Sequence, residues 1–249
     1  MIIGAAAIAA RGRGVPAPTT AAYNTLSLNG SSQYVIVTDS ASLTTTEASY
    51  SIWFNLATGA STSGQLRLWD RVGSNVNTRF FLGWEGSQDN MKLLVKLGGT
   101  QIGANGTFSP TKDTWHHALV SYDGTDTNVY FDGNTTPDIT INLSGDWTQD
   151  ASNTHIGVDD GTTQNWDGAL SNAMIFGTGL TAADAATLYN SGIAKQPEDY
   201  TTSITDNYVC ALPLNDGVVD PENDRSINNN DGTLVGSPTY TTPTLEYTE

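Results

Sequence analysis

The sequence contains few of the residues that cross-link a protein or give it charge. Its 249 residues include one cysteine, Cys210, so no disulfide can form within the chain and packing must supply the stability. Cys210 stands among Val209, Ala211 and Leu212, which indicates a buried apolar position rather than a reactive thiol. Charged residues make up only 14% of the sequence, and Ser, Thr, Asn and Gly take their place. Such a composition is typical of extracellular or virion β-proteins.

Basic residues are especially scarce. Lys and Arg number 10 against 26 Asp and Glu, which gives a formal net charge of −16 at pH 7. A surface this acidic repels polyanions, so we expect neither nucleic acid nor an anionic membrane as a partner. No apolar run reaches the roughly 20 residues of a membrane-spanning helix. The apolar residues 1–10 precede Arg11 and Arg13, which is the reverse of the order in a secretory signal peptide.

Residues 1–20 form an N-terminal arm, in which the apolar run is followed by Arg-Gly-Arg-Gly and by two prolines. Gly and Pro prevent a continuous helix, and no hydrophobic period places the arm in a folded core. The arm is either a disordered tail or an anchor that docks on another subunit. We expect the anchor, because an apolar segment is stabilised by packing against a partner.

Most of the remaining sequence alternates between apolar and polar residues with a period of two, which predicts β-strands. In residues 115–122 this places His116 and His117 on opposite faces, so they cannot bind one metal together. Asp123-Gly124 and Asp132-Gly133 mark the turns of a hairpin. The alternation recurs in residues 51–56, 66–71, 80–84 and 91–97. Between residues 66 and 71, it groups Leu66, Leu68 and Asp70 on one face and Arg67, Trp69 and Arg71 on the other.

Many short strands with Asn-Gly and Asp-Gly turns between them predict an all-β fold, either an antiparallel sandwich or a jelly roll. One short helix is expected in residues 182–190. Thr181 and Asp184 form an acidic variant of the capping box before it, and Gly192 supplies a stop after it.

The order of these motifs resembles the laminin G-like family, which has the concanavalin A-like fold. The family's Trp-His-His strand, Tyr-Asp-Gly turn and Tyr-Val-Asp-Gly return strand correspond to residues 115–118, 122–124 and 130–133. Residues 26–37, 51–54, 155–157, 166–170 and 180–192 resemble further elements in the same order. The resemblance implies a concanavalin A-like jelly-roll β-sandwich with one short helix in residues 21–195.

Residues 196–249 resemble the unit that laminin G-like domains usually carry at their start, namely a first strand, a polar loop and a Gly-Thr-Leu strand. Here these are residues 208–217, 224–231 and 232–234. The segment completes the edge of its own sandwich, completes a neighbour's sandwich, or is a truncated second repeat. We expect the first arrangement, because the chain ends of a domain usually lie close together.

The sequence predicts no catalytic residue. Laminarinase-type enzymes of this fold carry Glu-x-Asp-x-x-Glu on one strand, and that spacing does not occur here. Laminin-type relatives often hold Ca²⁺ on a loop at one end of the sandwich, which implies hard oxygen ligands. The candidates are Asp159, Asp160 and Asp167, with the alternative that they only form turns. No cofactor is required, and Ca²⁺ is the one metal that the resemblance suggests.

Carbohydrate-binding modules stack sugars on exposed aromatic rings. The candidates are Trp147, Trp166 and Trp84, and Trp147 is the one we expect to be exposed. The alternative is that these large side chains belong to the core.

For function, we expect a non-enzymatic structural protein of a phage virion, either a capsid decoration or a fibre or adhesin, because the sequence resembles stand-alone phage laminin G-like proteins. Its partners would be other virion proteins through residues 1–20, further copies in a homotrimer, and cell-surface glycans. The alternatives are a secreted, extracellular carbohydrate-binding module and, less favoured, a glycoside hydrolase with a pair of carboxylates in a cleft.

Overall fold

The computed structural model describes residues 20–21, 23–73, 78–145, 147, 152–215, 220–241 and 245–248. The predicted arm lies outside the described residues except for Thr20. The strands of the first half are β1 (Thr20–Ala21), β2 (Thr25–Asn29), β3 (Tyr34–Val37), β4 (Ala48–Leu56), β5 (Gln65–Val72), β6 (Arg79–Glu85), β7 (Asn90–Leu97), β8 (Thr100–Asn105) and β9 (Trp115–Tyr122). Those of the second half are β10 (Asp126–Phe131), β11 (Ile139–Asn142), β12 (Thr154–Ile156), β13 (Asp167–Phe176), β14 (Ala194–Lys195), β15 (Tyr208–Leu212), β16 (Gly232–Val235), β17 (Thr239–Thr241) and β18 (Tyr247–Thr248).

Two antiparallel sheets face each other and form a sandwich. The front sheet has seven strands in the order β16-β3-β12-β5-β6-β7-β8, and the back sheet has eight, in the order β11-β10-β9-β4-β13-β2-β17 with β15 also paired to β13. A small third sheet joins β1, β18 and β14. This arrangement confirms the predicted all-β fold and the concanavalin A-like jelly roll.

The alternation of the strands builds the core between the two sheets. In β7, Met91, Leu93, Val95 and Leu97 are buried and the residues between them are half-buried, as the period of two predicts. Aromatic side chains from both sheets meet in the middle, where the Tyr50 and Phe80 rings stack 4.6 Å apart. Each buried side chain of this size contributes about 1.5–3 kcal/mol, so the core can stabilise the domain without a disulfide.

The outer face of the back sheet is covered by helix and loop. Leu119, Met174 and Phe176 point outward from this sheet and pack against Leu188 and Ile204. Leu188 lies on α1 (Ala182–Tyr189), and Ile204 lies on the single turn α2 (Thr202–Thr205). Short 3₁₀ turns occur at Ala41–Leu43, Asn190–Gly192 and Pro197–Asp199. Among the described residues, no helix has the length and apolar composition to cross a membrane.

The predicted capping box of α1 is present. The Thr181 hydroxyl accepts from the Asp184 N–H at 3.3 Å, and the Asp184 carboxylate accepts from the Thr181 N–H at 2.8 Å. The helix ends at Asn190, whose φ of 46° is left-handed, and this differs from the predicted stop at Gly192. Asn tolerates this conformation because its side chain bonds locally, here by donating to the Ile193 carbonyl.

The strands of residues 196–249 pair within their own chain. β15 adds to β13, β16 adds to β3, and β17 adds to β2. Cys210 on β15 is buried, and burial raises the pKa of its thiol. It is therefore the apolar core position that its neighbours in the sequence indicate.

Candidate functional site

The outer face of the front sheet, here called the front face, carries an unusual share of the cations in an acidic chain. Arg67 on β5, Arg79 on β6, and Lys92 and Lys96 on β7 all project from it, because each alternates with a residue that points into the core. These are four of the eight Lys and Arg residues outside the arm. The front face is thus the part of the described surface where positive charge concentrates.

Two arginines share one buried carboxylate at the centre of this face. Arg79 Nη2 donates to Asp70 Oδ2 at 3.0 Å, and Arg67 Nε lies 3.4 Å from the same oxygen. Burial raises the pKa of Asp70 to about 6, although the nearby charge of Arg79 opposes it. Burial likewise lowers the pKa of Arg67 to about 10, against the charge of Asp70. Shifts of this size, supported by a specific geometry, mark a candidate for a functional site.

An aromatic ring and a glycine shape the surface beside this network. The Arg67 guanidinium lies over the Phe81 ring, 3.3 Å from its centre. Arg67 Nε and Nη1 make no hydrogen bond within the described part of the protein. Gly83 lies between Arg67 and Lys92, and a Cβ there would be 2.3 Å from the Leu66 carbonyl oxygen. The backbone of β5 therefore fills the space that a side chain would take, and only glycine fits between the two cations.

A β-bulge brings Arg67 and Asp70 to the same face. The register of β5 and β6 shifts between Arg67 and Trp69, so Trp69 and Arg71 point into the core while Arg67 and Asp70 point outward. The strict alternation predicted from the sequence, with Arg67 and Asp70 on opposite faces, is wrong. One extra residue reverses the facing of every residue that follows it, and a period of two carries no signal of it.

A second polar group lies at the end of β6. Glu85 Oε2 accepts from Gln65 Nε2 at 2.7 Å and from Lys92 Nζ at 3.2 Å. Although burial raises the pKa of Glu85, hydrogen bonds from Gln65 and Lys92 bring it below the usual value. The carboxylate is therefore charged and held in one orientation at neutral pH.

The predicted sugar-stacking tryptophans lie in the core. Trp84 and Trp166 are 0% exposed and Trp147 is 2% exposed, so the prediction that Trp147 is exposed is wrong. Trp147 stacks on Tyr122 at 4.7 Å, and the indole N–H of Trp166 donates to the Asn55 carbonyl. Burying the large rings gains more free energy than exposing them, so none of the three offers a face to a sugar.

The three predicted metal ligands are not gathered into a cation site. Asp159 accepts from the N–H groups of Thr163 and Gln164, at 2.6 and 3.2 Å. Burial raises the pKa of Asp159, but these hydrogen bonds hold it below the usual value. Asp160 lies 3.8 Å from Arg79, and Asp167 packs against Gly30. In the described ranges, no three His, Cys, Asp or Glu side chains could hold a metal together.

The adjacent histidines do lie on opposite faces, as predicted. His116 Nδ1 is 2.7 Å from Asp132 Oδ2, whereas His117 Nε2 is 2.8 Å from the Ser51 hydroxyl. His117 is completely buried, and burial lowers its pKa to about 4. Each imidazole serves a different hydrogen-bond network within the fold.

Comparison with known proteins identifies the family of this fold. The model of a laminin G family, described as the concanavalin A-like lectin/glucanases superfamily, matches residues 29–186, more than half of the chain. The chain belongs to this superfamily. No curated protein sequence matches it.

Solved structures show the same fold at low sequence identity. A candidate carbohydrate-binding protein from Bacteroides ovatus is 12% identical with a TM-score of 0.64, and the match covers 91% of this chain and 61% of that one. A heptameric pentraxin from Limulus polyphemus is 14% identical, with a TM-score of 0.53 and coverages of 67% and 82%. Domain 4 of an extracellular arabinanase from Geobacillus stearothermophilus, in complex with arabinotriose, is 19% identical, with a TM-score of 0.51 and coverages of 70% and 82%.

Proposed function

We propose that this laminin G-like protein is a non-catalytic carbohydrate-binding protein, and that the front face is its binding surface. One observation carries the proposal. The front face presents fixed charged and polar groups, whereas the outer face of the back sheet is sealed by α1, α2 and the segment between them. Two of the structures with this fold are a candidate carbohydrate-binding protein and an arabinanase domain with a bound arabinotriose, which favours the same ligand class.

The groups of the front face suit the hydroxyls of a sugar. A saccharide needs donors and acceptors in fixed positions together with a flat or apolar surface. Glu85, Gln65 and Lys92 are held by their mutual hydrogen bonds, and Leu94 lies half-buried beside Phe81. A polar group that is already oriented loses little entropy when the ligand binds.

The geometry favours binding over catalysis. Asp70 has the raised pKa of a general acid, and Asp160 is a second carboxylate nearby. However, Asp70 is fully buried and one of its oxygens accepts from Arg79. A general acid must come within hydrogen-bond distance of the glycosidic oxygen, and this carboxyl group is not accessible to it. The glycoside hydrolase therefore remains the less favoured alternative.

The proposal extends to a biological setting, in which the protein is an adhesive or decorating component of a phage virion. Its support is the resemblance to phage laminin G-like proteins and the apolar arm, residues 1–20, which would dock on another virion protein. A homotrimer and the recognition of cell-surface glycans belong to the same proposal. The secreted, extracellular module is the alternative setting for the same binding function.

Binding is tested by a glycan array with the wild-type protein and two variants. Glu85→Gln combined with Lys92→Gln removes both charges at the end of β6, and Lys195→Gln changes a lysine on β14, away from the front face. We expect the double variant to lose roughly tenfold in affinity, because charged hydrogen bonds are lost, and the control to bind like the wild type. A wild-type protein that binds no glycan would overturn the carbohydrate function, and a double variant with unchanged affinity would move the site off the front face.

The virion setting is tested by the native mass of the protein with and without residues 1–20, each in the presence and absence of a chelator. We expect the full chain to assemble and the truncated chain to remain monomeric. If both are monomers, the role proposed for the arm is contradicted, whereas an assembly that dissociates only in the chelator would support the Ca²⁺ that the laminin resemblance suggests.

A further inference from the structure

Two cations lie side by side on the front face. Arg79 on β6 and Lys96 on β7 are direct partners in the antiparallel register. Cβ atoms at such positions are about 5 Å apart, and like charges placed there repel each other. Lys96 takes part in none of the ion pairs of the described residues. The sheet therefore carries an electrostatic cost at this position that a bound anion would relieve.

The guanidinium of Arg79 has a donor that makes no hydrogen bond within the described residues. Its Nη2 donates to Asp70, but Asp70 also balances the charge of Arg67. The Nε atom of Arg79 is buried and makes no hydrogen bond within the described ranges. Arg67 and Arg79 thus share one closely bound carboxylate, and leaving the buried Nε donor of Arg79 without an acceptor is unfavourable.

The second carboxylate near Arg79, that of Asp160, is only weakly bound to it. Asp160 Oδ1 lies 3.8 Å from Arg79 Nη2, which is too long for a hydrogen bond, and its side chain is 47% exposed. An exposed ion pair at this distance contributes little to stability. Asp160 therefore competes weakly with an incoming anion and does not block it.

We propose that Arg79 and Lys96 bind one negatively charged group of an acidic sugar, a carboxylate or a sulfate ester, within the carbohydrate ligand. This inference rests on the proposed carbohydrate function. Arg presents a planar set of donors that match two oxygens of such a group, and Lys adds a mobile point charge on the other side. Gln101, paired with Lys96 on the neighbouring strand β8 and exposed, can reach the adjoining hydroxyls.

The charge of the whole chain restricts the ligand to one with few anionic groups. At a net charge of −16 the protein repels a polyanion over the Debye length, about 8 Å at physiological salt. A single acidic residue in an otherwise neutral glycan gains the local attraction of Arg79 and Lys96 without that repulsion. We therefore expect the affinity to fall when a glycan carries more anionic groups than Arg79 and Lys96 can contact.

The test uses three matched probes, namely a tetrasaccharide with one glucuronate residue, its carboxyl-reduced neutral counterpart, and the neutral tetrasaccharide with one sulfate ester. Binding is measured by calorimetry with the wild type and with Lys96→Gln, Asp160→Asn and the control Lys195→Gln. Lys96 and Asp160 are both partly exposed, so these variants keep the fold, which their melting temperatures verify.

We expect the acidic probe to bind the wild type roughly tenfold more tightly than the neutral probe, as one charged hydrogen bond allows. Lys96→Gln should remove this preference, Asp160→Asn should increase it, and Lys195→Gln should leave it unchanged. The glucuronate and sulfate probes show which anionic group is preferred. If the acidic and neutral probes bind equally, the anion site is overturned while the carbohydrate function stands. If no probe binds and the glycan array is also blank, both proposals fail.

Discussion

The guanidinium carbon of Arg67 lies 3.3 Å from the centre of the Phe81 ring, and both residues are less than 5% exposed although they project from the outer face of a sheet. A cation on an aromatic face is attracted by the ring's quadrupole, with an energy of about 2 kcal/mol when it is desolvated. The same arginine also depends on Asp70 for charge balance. The front face therefore carries a network of charged and aromatic groups that contact one another.

Substituting different members of this network should lower the free energy of unfolding by different amounts. Asp70→Ala should lower the free energy of unfolding by about 3–5 kcal/mol, because it leaves both Arg67 and Arg79 without their carboxylate. Arg67→Met should cost much less, since Asp70 keeps its hydrogen bond to Arg79 and the methionine still covers the Phe81 ring. Urea unfolding of both variants measures the difference. Equal costs would contradict this account of the network.

The pKa values predict opposite acid responses for two buried groups. The pKa of His117 is lowered from 6.5 to about 4 by burial, so its contribution to stability is present above pH 6.5 and is lost as the pH falls through about 4. The pKa of Asp70 is raised from 3.8 to about 6 by burial, so its contribution is present below pH 3.8 and is lost as the pH rises through about 6.

Single variants separate these opposing contributions. Between pH 7 and pH 4, His117→Gln should gain stability relative to the wild type, and Asp70→Asn should lose it, by roughly 2–3 kcal/mol each. Gln retains a partner for Ser51, and Asn retains the size of Asp70. The measurement is the free energy of unfolding across this range of pH. Parallel curves for the wild type and the His117 variant would show that His117 titrates normally.

Much of the fold could be predicted because its signals are local. The alternation in residues 91–97, the turns at Asp123-Gly124 and Asp132-Gly133 and the Thr181–Asp184 capping box each depend on residues close in the sequence, and the structure has these three features. Asp167-Gly168, in contrast, belongs to strand β13 and not to a turn. Helix α1 ends one residue before the predicted Asn190, because Asn190 adopts the left-handed conformation before Gly192 is reached.

The candidate site could not be predicted in the same way, because it depends on long-range geometry. Arg67 and Asp70 share a face only through the bulge in β5, and Lys96 meets Arg79 only through the pairing of β6 with β7. The prediction that Trp147 is exposed failed for a related reason. Residue type alone does not tell whether an indole such as Trp147 packs against Tyr122 or faces solvent.

The capping box predicts a local effect on α1. Thr181→Ala should lower the free energy of unfolding by about 1 kcal/mol, because the Asp184 N–H loses its acceptor. Thr181→Ser keeps the hydroxyl and serves as the control, with a cost well below that of alanine. Thermal unfolding compares the two. Similar losses in both variants would show that the threonine methyl group, and not the cap, provides the stability.

The loop geometry predicts that Asp159 has a structural role. Asp159→Ala should lower stability by about 1–3 kcal/mol at every Ca²⁺ concentration, because the Thr163 and Gln164 N–H groups lose their acceptor. A chelator should leave the melting temperature of the wild type unchanged. A rise in the melting temperature of the wild type with Ca²⁺, absent in the variant, would instead support the Ca²⁺ site suggested by the laminin resemblance.

The last prediction concerns the strands of residues 196–249. A chain that ends at Lys195 should fail to unfold cooperatively, because it exposes the outer edge of β3 and removes β15 from β13. The buried side chains lost with it include Leu212 and Leu214, both 0% exposed.

Point variants in the full chain test the same contacts without truncation. Leu212→Ala should lower the free energy of unfolding by about 2–5 kcal/mol, and Thr239→Ala at an exposed position should leave it almost unchanged. Mixing the short chain with a separate peptide of residues 196–249 should restore the cooperative transition, since the tail contributes its strands by pairing and packing. A short chain that melts like the full protein would show that these strands are dispensable to the sandwich.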